Sequence, residues 1–312
     1  STPVKRQGCA DCWAFAPTSN LEAIINLYYN QHLDMDLSEQ EASSCSGGAS
    51  GDCDAGGSAY TVMRYIINNG LAEETCMPYM GEPGFGQPCG QRCTNPVDVF
   101  SIPSIIPIEE DEEVIKRAIM KGPIHMGVHS MWHFMSLQGF TKDENGNTVW
   151  IFKNSWGESS GENGFLLTTT EGISDFYTRY QYGLPLISLN PNHQVQCRDA
   201  DGDGLYFWGI GDEIPASCPA GISTAPDCDD SDPLKREMDE NGYCVELFTI
   251  SCDFASLEEH RLAGRAYIDP RTEGGWCFWG TCYGGTVVDY YLAVGSDQEL
   301  GTDPSLQVNL KE

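Results

Sequence analysis

Apolar residues in the first part of the chain recur at helical spacing. Over residues 21–28 they are interrupted only by Glu and Asn, so we predict a helix there. Residues 109–120 predict a second helix, because acids stand at its start and Lys-Gly-Pro follows its end. Short apolar runs at 149–152 and 164–167, bounded by Asn, Gly and Ser, are typical of strands joined by turns. Helices followed by strands predict the α+β class.

The pattern changes beyond residue 191. Apolar periodicity fades over residues 192–241, where aspartates cluster, and short apolar or aromatic runs such as 286–292 return among glycines and cysteines. We therefore expect a folded domain over 1–191, an Asp-rich segment over 192–241 and a small β-rich, Cys-containing accessory unit over 242–312.

Charge and length exclude several classes of function. The chain has 312 residues and a net charge of −29, from 17 basic and 46 acidic residues, so it repels nucleic-acid phosphates and anionic lipid. No apolar run reaches the ~20 residues that cross a bilayer. The 14 cysteines favour an oxidising compartment, where they form disulfides. We expect a secreted protein that neither binds nucleic acid nor spans a membrane.

Candidate chemistry concentrates around one cysteine. Cys12 lies in Gln-Gly-Cys-Ala-Asp-Cys-Trp-Ala-Phe and opens the first predicted helix, where the unpaired amides of a helix N-terminus stabilise a thiolate. His133 stands in a segment that predicts a strand, and Asn154 stands in Lys-Asn-Ser-Trp-Gly. A cysteine, a histidine and an orienting amide are the three parts of a nucleophilic acyl-transfer site.

These residues resemble the papain family of cysteine peptidases. Other matching segments are Leu-Ser-Glu-Gln-Glu at 37–41, Cys-Asp-Ala-Gly-Gly at 53–57, Cys-Met-Pro-Tyr at 76–79, Gly-Pro at 122–123 and Gly-Glu-Asn-Gly-Phe at 161–165. The resemblance implies a papain-like two-lobed domain, with a helical lobe, a β-barrel lobe and substrate in the cleft between them. It implies a cysteine endopeptidase that hydrolyses protein or peptide substrates through an acyl-enzyme and needs no cofactor for catalysis.

The resemblance also implies a role for each matching residue of the catalytic group. Cys12 is the nucleophile, His133 is the general base and later the general acid, and Asn154 orients the imidazole. Gln7 donates its side-chain amide, together with the backbone N–H of Cys12, to the oxyanion.

Three further residues bind substrate by the same resemblance: Gly56, Gly57 and Trp156. The two glycines let a peptide backbone approach, because a side chain there would obstruct it. The indole of Trp156 shields the hydrogen bond between the imidazole and its orienting amide.

The sequence departs from the family pattern in two places that bear on activity. Gln7 is one residue closer to the nucleophile than the pattern places it, and only ten positions separate Pro123 from His133. The chain must therefore turn back near residues 130–131, which removes one wall of the family's cleft. These departures support an alternative, a catalytically weak or inactive papain-like binding or adhesion protein with a calcium-stabilised accessory module.

Asp11 immediately precedes the candidate nucleophile. Aspartate is a strong N-cap residue, so we expect its carboxylate to accept hydrogen bonds from the first amides of the Cys12 helix. Its negative charge opposes the helix dipole and raises the pKa of the thiol.

The resemblance pairs Cys9 with Cys53 and leaves Cys12 reduced. Two more bridges follow in an order that stays open: Cys45 and Cys76 with Cys89 and Cys93. The seven cysteines beyond residue 190 cannot all pair among themselves, so one of them is free or intermolecular.

Three histidines, His125, His129 and His133, recur every four residues and on a helix would form a metal-binding face. The preceding Gly-Pro and the following apolar runs favour strands, and no Glu stands where a His-Glu-x-x-His zinc peptidase needs one. We therefore interpret His125 and His129 as scaffold residues.

The two aspartate groups predict a structural calcium site. Asp-Ala-Asp-Gly-Asp-Gly at 199–204 puts carboxylates at alternate positions of a tight turn, an arrangement that wraps oxygen around calcium, although Ile210 stands where an EF-hand needs Glu. The groups resemble the Asp-rich calcium repeats of thrombospondin type 3 and of secreted bacterial proteins, and the alternative is a solvated linker. The expected ligands are Asp199, Asp201, Asp203, Asp227, Asp229, Asp230 and Asp232.

Aromatic residues cluster around two cysteines of the accessory unit: Trp276, Phe278, Trp279 and Tyr283. A glycan-binding or surface-binding face is one interpretation, and a small hydrophobic core is the commoner explanation. The sequence leaves both open.

Overall fold

The computed structural model describes residues 2–47, 56–81, 87–169, 176–233 and 235, together with the backbone of the strands that follow. The chain divides into two compact units, Ser1–Ser231 with Glu240–Gly242 and Asp232–Asp239 with Tyr243–Glu312. Within the described residues, none of the helices has the length and apolar content that crossing a membrane requires.

The described part of the first unit contains four α-helices: α1 (Cys12–Tyr29), α2 (Glu39–Cys45), α3 (Ala59–Asn69) and α4 (Glu112–Ile119). Both helices predicted from the sequence are confirmed. Helix α4 begins three residues later than predicted, because the side chain of Asp111 accepts the Val114 amide and caps the first turn. Helix α1 ends at Tyr29, and the C-cap residue Asn30 takes the left-handed conformation with φ 50°.

The strands of the first unit are β1 (Leu71–Ala72), β2 (Val99–Ser101), β3 (Ile105–Pro107), β4 (Ile124–Val128), β5 (His133–Lys142), β6 (Thr148–Lys153), β7 (Phe165–Thr169), β8 (Phe176–Tyr182) and β9 (Ile187–Ser188). Six of them form an antiparallel sheet in the order β3-β8-β4-β5-β6-β7. Strands β1, β2 and β9 form a smaller sheet. The α+β class is therefore confirmed.

Two buried clusters form the core of this unit, one in the helices and one in the sheet. The first includes Leu21, Ile24 and Ile25 of α1, and the second includes Trp150 and Phe152 of β6. Helix α1 also packs against β5. Because α1 and β5 begin with Cys12 and His133, this packing decides which side chains meet at the site.

Strands β4 and β5 form a tight hairpin. Val128 is paired with His133, so residues 129–132 make the turn. The expected reversal near residues 130–131 is confirmed. Trp132 lies in this turn at φ 48° with 84% of its surface exposed. His125 lies inside β4 and His129 in the turn, so the three histidines do not share a helical face.

Residues 192–231 have little regular structure but pack against the end of α1. The side-chain amide of Asn30 donates to the carbonyls of Gln196 and Phe207 at 3.0 and 3.1 Å, and the Gln196 amide donates to the Tyr29 carbonyl at 2.9 Å. Trp208 is 2% exposed. The segment thus belongs to the first compact unit up to residue 231.

Disulfides join Cys45 to Cys89 and Cys76 to Cys93, which resolves the order that the sequence left open. Cys9 is also disulfide-bonded, and its expected partner Cys53 lies outside the described residues. A further bridge joins Cys197 to Cys218 beyond residue 190.

The second unit is described by its strands: β10 (Glu237–Met238), β11 (Cys244–Val245), β12 (Asp253–Ser256), β13 (Ala266–Glu273), β14 (Trp276–Phe278), β15 (Thr281–Tyr283), β16 (Thr286–Ala293), β17 (Glu299–Gly301) and β18 (Gln307–Leu310). Strands β14 and β15 pair with Cys277 opposite Cys282. The side chains of the aromatic cluster lie outside the described residues, so its glycan-binding role stays a prediction.

Candidate active site

Cys12 is the first residue of α1 and is 8% exposed. It is the free cysteine among the described residues. The backbone of Phe134, the second residue of β5, lies close enough to the sulfur to lower the pKa of the thiol. The thiol therefore lies against the start of β5, where His133 immediately precedes Phe134.

His133 and Asn154 form a buried hydrogen-bonded pair. The imidazole Nε2–H donates to the Asn154 carboxamide oxygen at 2.7 Å, and the residues are 3% and 7% exposed. Because that oxygen can only accept, the neutral imidazole keeps its lone pair on Nδ1. The indole of Trp156 stacks on the imidazole with ring centroids 4.5 Å apart and covers the pair.

Burial opposes a lone charge on either reactive group. It raises the pKa of the Cys12 thiol, while the Phe134 backbone lowers that pKa and the charge of Asp11 raises it. Burial also lowers the pKa of His133, and the hydrogen bond with Asn154 partly offsets this. A proton passed from the thiol to the imidazole creates opposite charges together, so each compensates for the burial of the other.

Gln7 lies beside this group with its side chain already engaged. Its amide nitrogen donates to the Cys9 carbonyl at 2.7 Å, and its oxygen accepts from the Ser155 hydroxyl at 2.5 Å. A carboxamide has two N–H groups, so one hydrogen remains after the bond to Cys9. Ser155 thus fixes the orientation of the Gln7 amide, a role that the sequence reasoning missed.

The backbone at Gly56 and Gly57 lies next to the residue that follows the nucleophile. A Cβ at Gly57 would stand 2.3 Å from the ring of Trp13, which is itself 2% exposed. Gly56 takes φ +65°, which disfavours a side chain. This stretch therefore presents bare backbone near Cys12.

Asp11 does not cap α1 with its side chain, contrary to expectation. Its carboxylate instead accepts from the Tyr79 hydroxyl at 2.6 Å, and the same hydroxyl accepts from the Gly8 amide at 2.8 Å. Asp11 is 1% exposed, and burial raises its pKa to about 6 although the Tyr79 hydrogen bond lowers it. The sequence offered a signal for Tyr79, which ends the Cys-Met-Pro-Tyr segment, but no reason to pair it with Asp11.

A network of ion pairs and hydrogen bonds joins Lys153, the last residue of β6, to the N-terminal segment and to α1. The Lys153 ammonium donates to the Thr2 hydroxyl at 2.7 Å, and that hydroxyl donates to the Glu22 carboxylate at 3.1 Å. Lys5 forms ion pairs with Glu22 and Glu39 at 2.7 and 2.8 Å. These contacts brace the segment that precedes Asn154 against the helix that carries Cys12.

The predicted calcium ligands fall into two sets. Asp199, Asp201 and Asp203 bring carboxylate oxygens within 4.8 Å of one another, and Asp227 is fully buried beside them. The other three make different contacts: Asp229 accepts from Ser231, Asp230 from the Ala200 amide, and Asp232 pairs with Lys235.

Comparisons with known proteins find cysteine proteases among the relatives of this chain. A cysteine proteinase of Theileria annulata is 33% identical over 214 residues, covering 61% of this chain and 45% of its own. Testin-2 of Rattus norvegicus is 31% identical over 193 residues, covering 53% and 56%. The crystal structure of the Amb a 11 cysteine protease, a ragweed pollen allergen, in its proform matches with a TM-score of 0.51 at 26% identity, covering 59% of this chain and 63% of that one.

The chain spans about half the length of the curated relatives it matches. The family described as papain family cysteine protease matches residues 1–139 and 127–177, which together exceed half of the chain. These segments contain the candidate nucleophile, the histidine paired with the amide, and the indole that covers them. The chain therefore belongs to the papain family of cysteine proteases.

Proposed function

We propose that this chain is a cysteine endopeptidase that hydrolyses peptide bonds with Cys12, His133 and Asn154. The observation that carries the proposal is the buried hydrogen bond of 2.7 Å between His133 and Asn154 under the indole of Trp156, with the free Cys12 against the same strand. Named cysteine proteases among the relatives support this reaction class over an inactive binding protein.

The arrangement supplies the groups that peptide hydrolysis needs. His133 accepts the thiol proton on Nδ1 while Nε2–H stays bound to Asn154, and the sulfur of Cys12 attacks the peptide carbonyl. The imidazolium then donates this proton to the leaving amine, so that a thioester forms and the amine product departs neutral. Water, deprotonated by His133, releases the acid product and restores the thiol.

The negative oxygen of the tetrahedral intermediate needs donors that are fixed before reaction. The backbone N–H of Cys12 is the first of α1 and has no partner within the helix. The remaining N–H of Gln7, held in place by Ser155 and the Cys9 carbonyl, is the second donor. The bare backbone at Gly56 and Gly57 pairs with the extended substrate.

Secretion is part of the same proposal. The described disulfides and the disulfide-bonded Cys9 form only where thiols can oxidise. Cys12 must stay reduced there, and its burial limits contact with oxidants.

Turnover of a fluorogenic peptide library by matched variants tests the proposal. Cys12→Ala and His133→Asn should each lose about 10³-fold or more in kcat/KM. His129→Asn, which makes the same substitution at an exposed histidine of the adjacent turn, should retain activity. Wild-type protein should also form a covalent adduct with a peptidyl epoxide, and Cys12→Ala should not. Turnover by Cys12→Ala, or no turnover and no adduct by the wild type, would overturn the proposal.

A further inference from the structure

Three carboxylates of the Asp-rich segment converge on one point of the fold, and a fourth lies near them. Asp199, Asp201 and Asp203 each offer an oxygen atom, and these oxygens lie within 4.8 Å of one another. Asp227 lies close enough that the charges of Asp203 and Asp201 act on it. Two hydrogen bonds hold the turn at 199–206 against the turn at 227–231. The Asp227 amide donates to the Tyr206 carbonyl at 2.9 Å, and the Ala200 amide donates to the Asp230 carboxylate at 2.6 Å.

The burial of Asp227 distinguishes this cluster from a group of solvated acids. The residue is 0% exposed, and its Oδ2 atom has no hydrogen-bond partner in the part of the chain that the structure describes. The Oδ2 atom of Asp201 is buried and lacks a hydrogen-bond partner within the same described residues. A buried carboxylate oxygen without a partner costs several kcal/mol, and a cation bound beside these oxygens would offset that cost.

The geometry points to a bound divalent cation, calcium, held by Asp199, Asp201, Asp203 and Asp227. All four donors are carboxylate oxygens, which suit hard cations, whereas zinc and copper prefer nitrogen and sulfur. Calcium accepts six to eight oxygen ligands in an irregular shell, while magnesium requires near-ideal octahedral geometry. Two turns of an irregular segment that meet at one point fit calcium better, with water completing the shell.

The site has a structural consequence away from Cys12. Its two turns flank Phe207 and Trp208, which belong to the stretch that hydrogen-bonds to the end of α1. The Ile210 amide donates to the Leu27 carbonyl at 3.3 Å in the same stretch. The cation therefore holds the Asp-rich segment on the last turn of α1. Cys12 lies at the other end of this helix, ~27 Å away for 18 residues at 1.5 Å each.

Calcium uptake and hydrogen exchange test the inference in the full chain carrying Cys12→Ala, so the result does not depend on peptidase activity. After chelation and desalting, calcium should bind in a calorimetric titration. It should slow amide exchange in peptides covering 199–206 and 227–231 by about 10-fold or more. Exchange in α4 should not change. Magnesium at the same concentration should protect these peptides much less.

Matched variants identify the ligands. Asp227→Asn should abolish the calcium-dependent protection, whereas Asp212→Asn removes the same charge from an exposed position of the segment and should retain it. Asp201→Asn provides a second ligand variant if Asp227→Asn does not fold. The absence of calcium binding, equal protection by magnesium, or full protection in a folded ligand variant would each overturn the inference.

Discussion

Asp11→Asn should stabilise the protein, and more strongly at neutral than at acidic pH. Asparagine keeps the shape and an oxygen that accepts from the Tyr79 hydroxyl, but it removes a charge from a residue that is 1% exposed. Burial raises the pKa of Asp11 from 3.8 to about 6. Each pKa unit corresponds to ~1.4 kcal/mol, so the ionised form costs the native state about 3 kcal/mol.

The sign follows from proton linkage. Between pH 3.8 and about 6 the native state keeps a proton on Asp11 that the unfolded state has lost. The free energy of unfolding therefore falls as the pH rises through this window. Asparagine does not titrate, so Asp11→Asn should gain about 2 kcal/mol over wild type between pH 4.5 and pH 7.5, approaching about 3 kcal/mol over the whole window.

Urea unfolding of both proteins at the two pH values measures this difference. Asp34→Asn is the matched control, because the Asp34 side chain is 97% exposed and its charge is already solvated. The same variants carry a kinetic readout: the Asp11 charge raises the pKa of the Cys12 thiol, so Asp11→Asn should move the acidic limb of kcat/KM to lower pH. If Asp11→Asn and wild type differ in free energy of unfolding by the same amount at both pH values, the reasoning about burial is refuted. If the acidic limb of kcat/KM stays at the same pH, the coupling between Asp11 and the thiol is refuted.

Two other substitutions test the backbone near the site by thermal unfolding. Trp132→Gly should raise the free energy of unfolding by about 0.5 kcal/mol. Glycine removes the backbone strain of the left-handed conformation at Trp132, and this gain exceeds the cost of the greater freedom that glycine gives the unfolded chain. Trp132→Ala retains the strain and should show no such gain. Gly57→Ala should lower stability by about 1–3 kcal/mol, because its Cβ would meet the Trp13 ring at 2.3 Å. Gly90→Ala meets no described atom within 4 Å and should be nearly neutral, so an equal loss at both glycines would contradict the steric argument.

The sequence predicted the features whose causes are local. Cys12 was expected at a helix start, and α1 begins there. The nine residues between Pro123 and His133 leave room for one strand and one turn, and the hairpin of β4 and β5 uses all of them. Periodicity, start and stop signals and short spacings are encoded within a few residues, so they can be read before the fold is known.

The features that the sequence did not predict depend on distant partners. Asp11 was expected to cap α1, yet its carboxylate accepts from Tyr79, which is 68 positions away. Propensity describes what a residue does for its own helix, and a buried hydroxyl from another segment competes for the same oxygen. The Asp-rich segment shows the same dependence, because the Asn30 side chain donates to the carbonyls of Gln196 and Phe207, which are 166 and 177 positions away.

Helix α1 separates the proposed chemistry from the proposed metal site. Its first residue is the candidate nucleophile, and its C-cap Asn30 binds the carbonyls of Gln196 and Phe207. The residues between these ends include the buried apolar positions of the helical core, which are close-packed and deform little. Loss of the cation can therefore loosen the segment at the last turn without moving the thiol relative to β5. The helix is also long enough that charges at the two ends, screened over ~8 Å in physiological salt, act on each other weakly. Stability of the C-terminal end of α1 and the pH profile of the thiol are thus expected to vary independently.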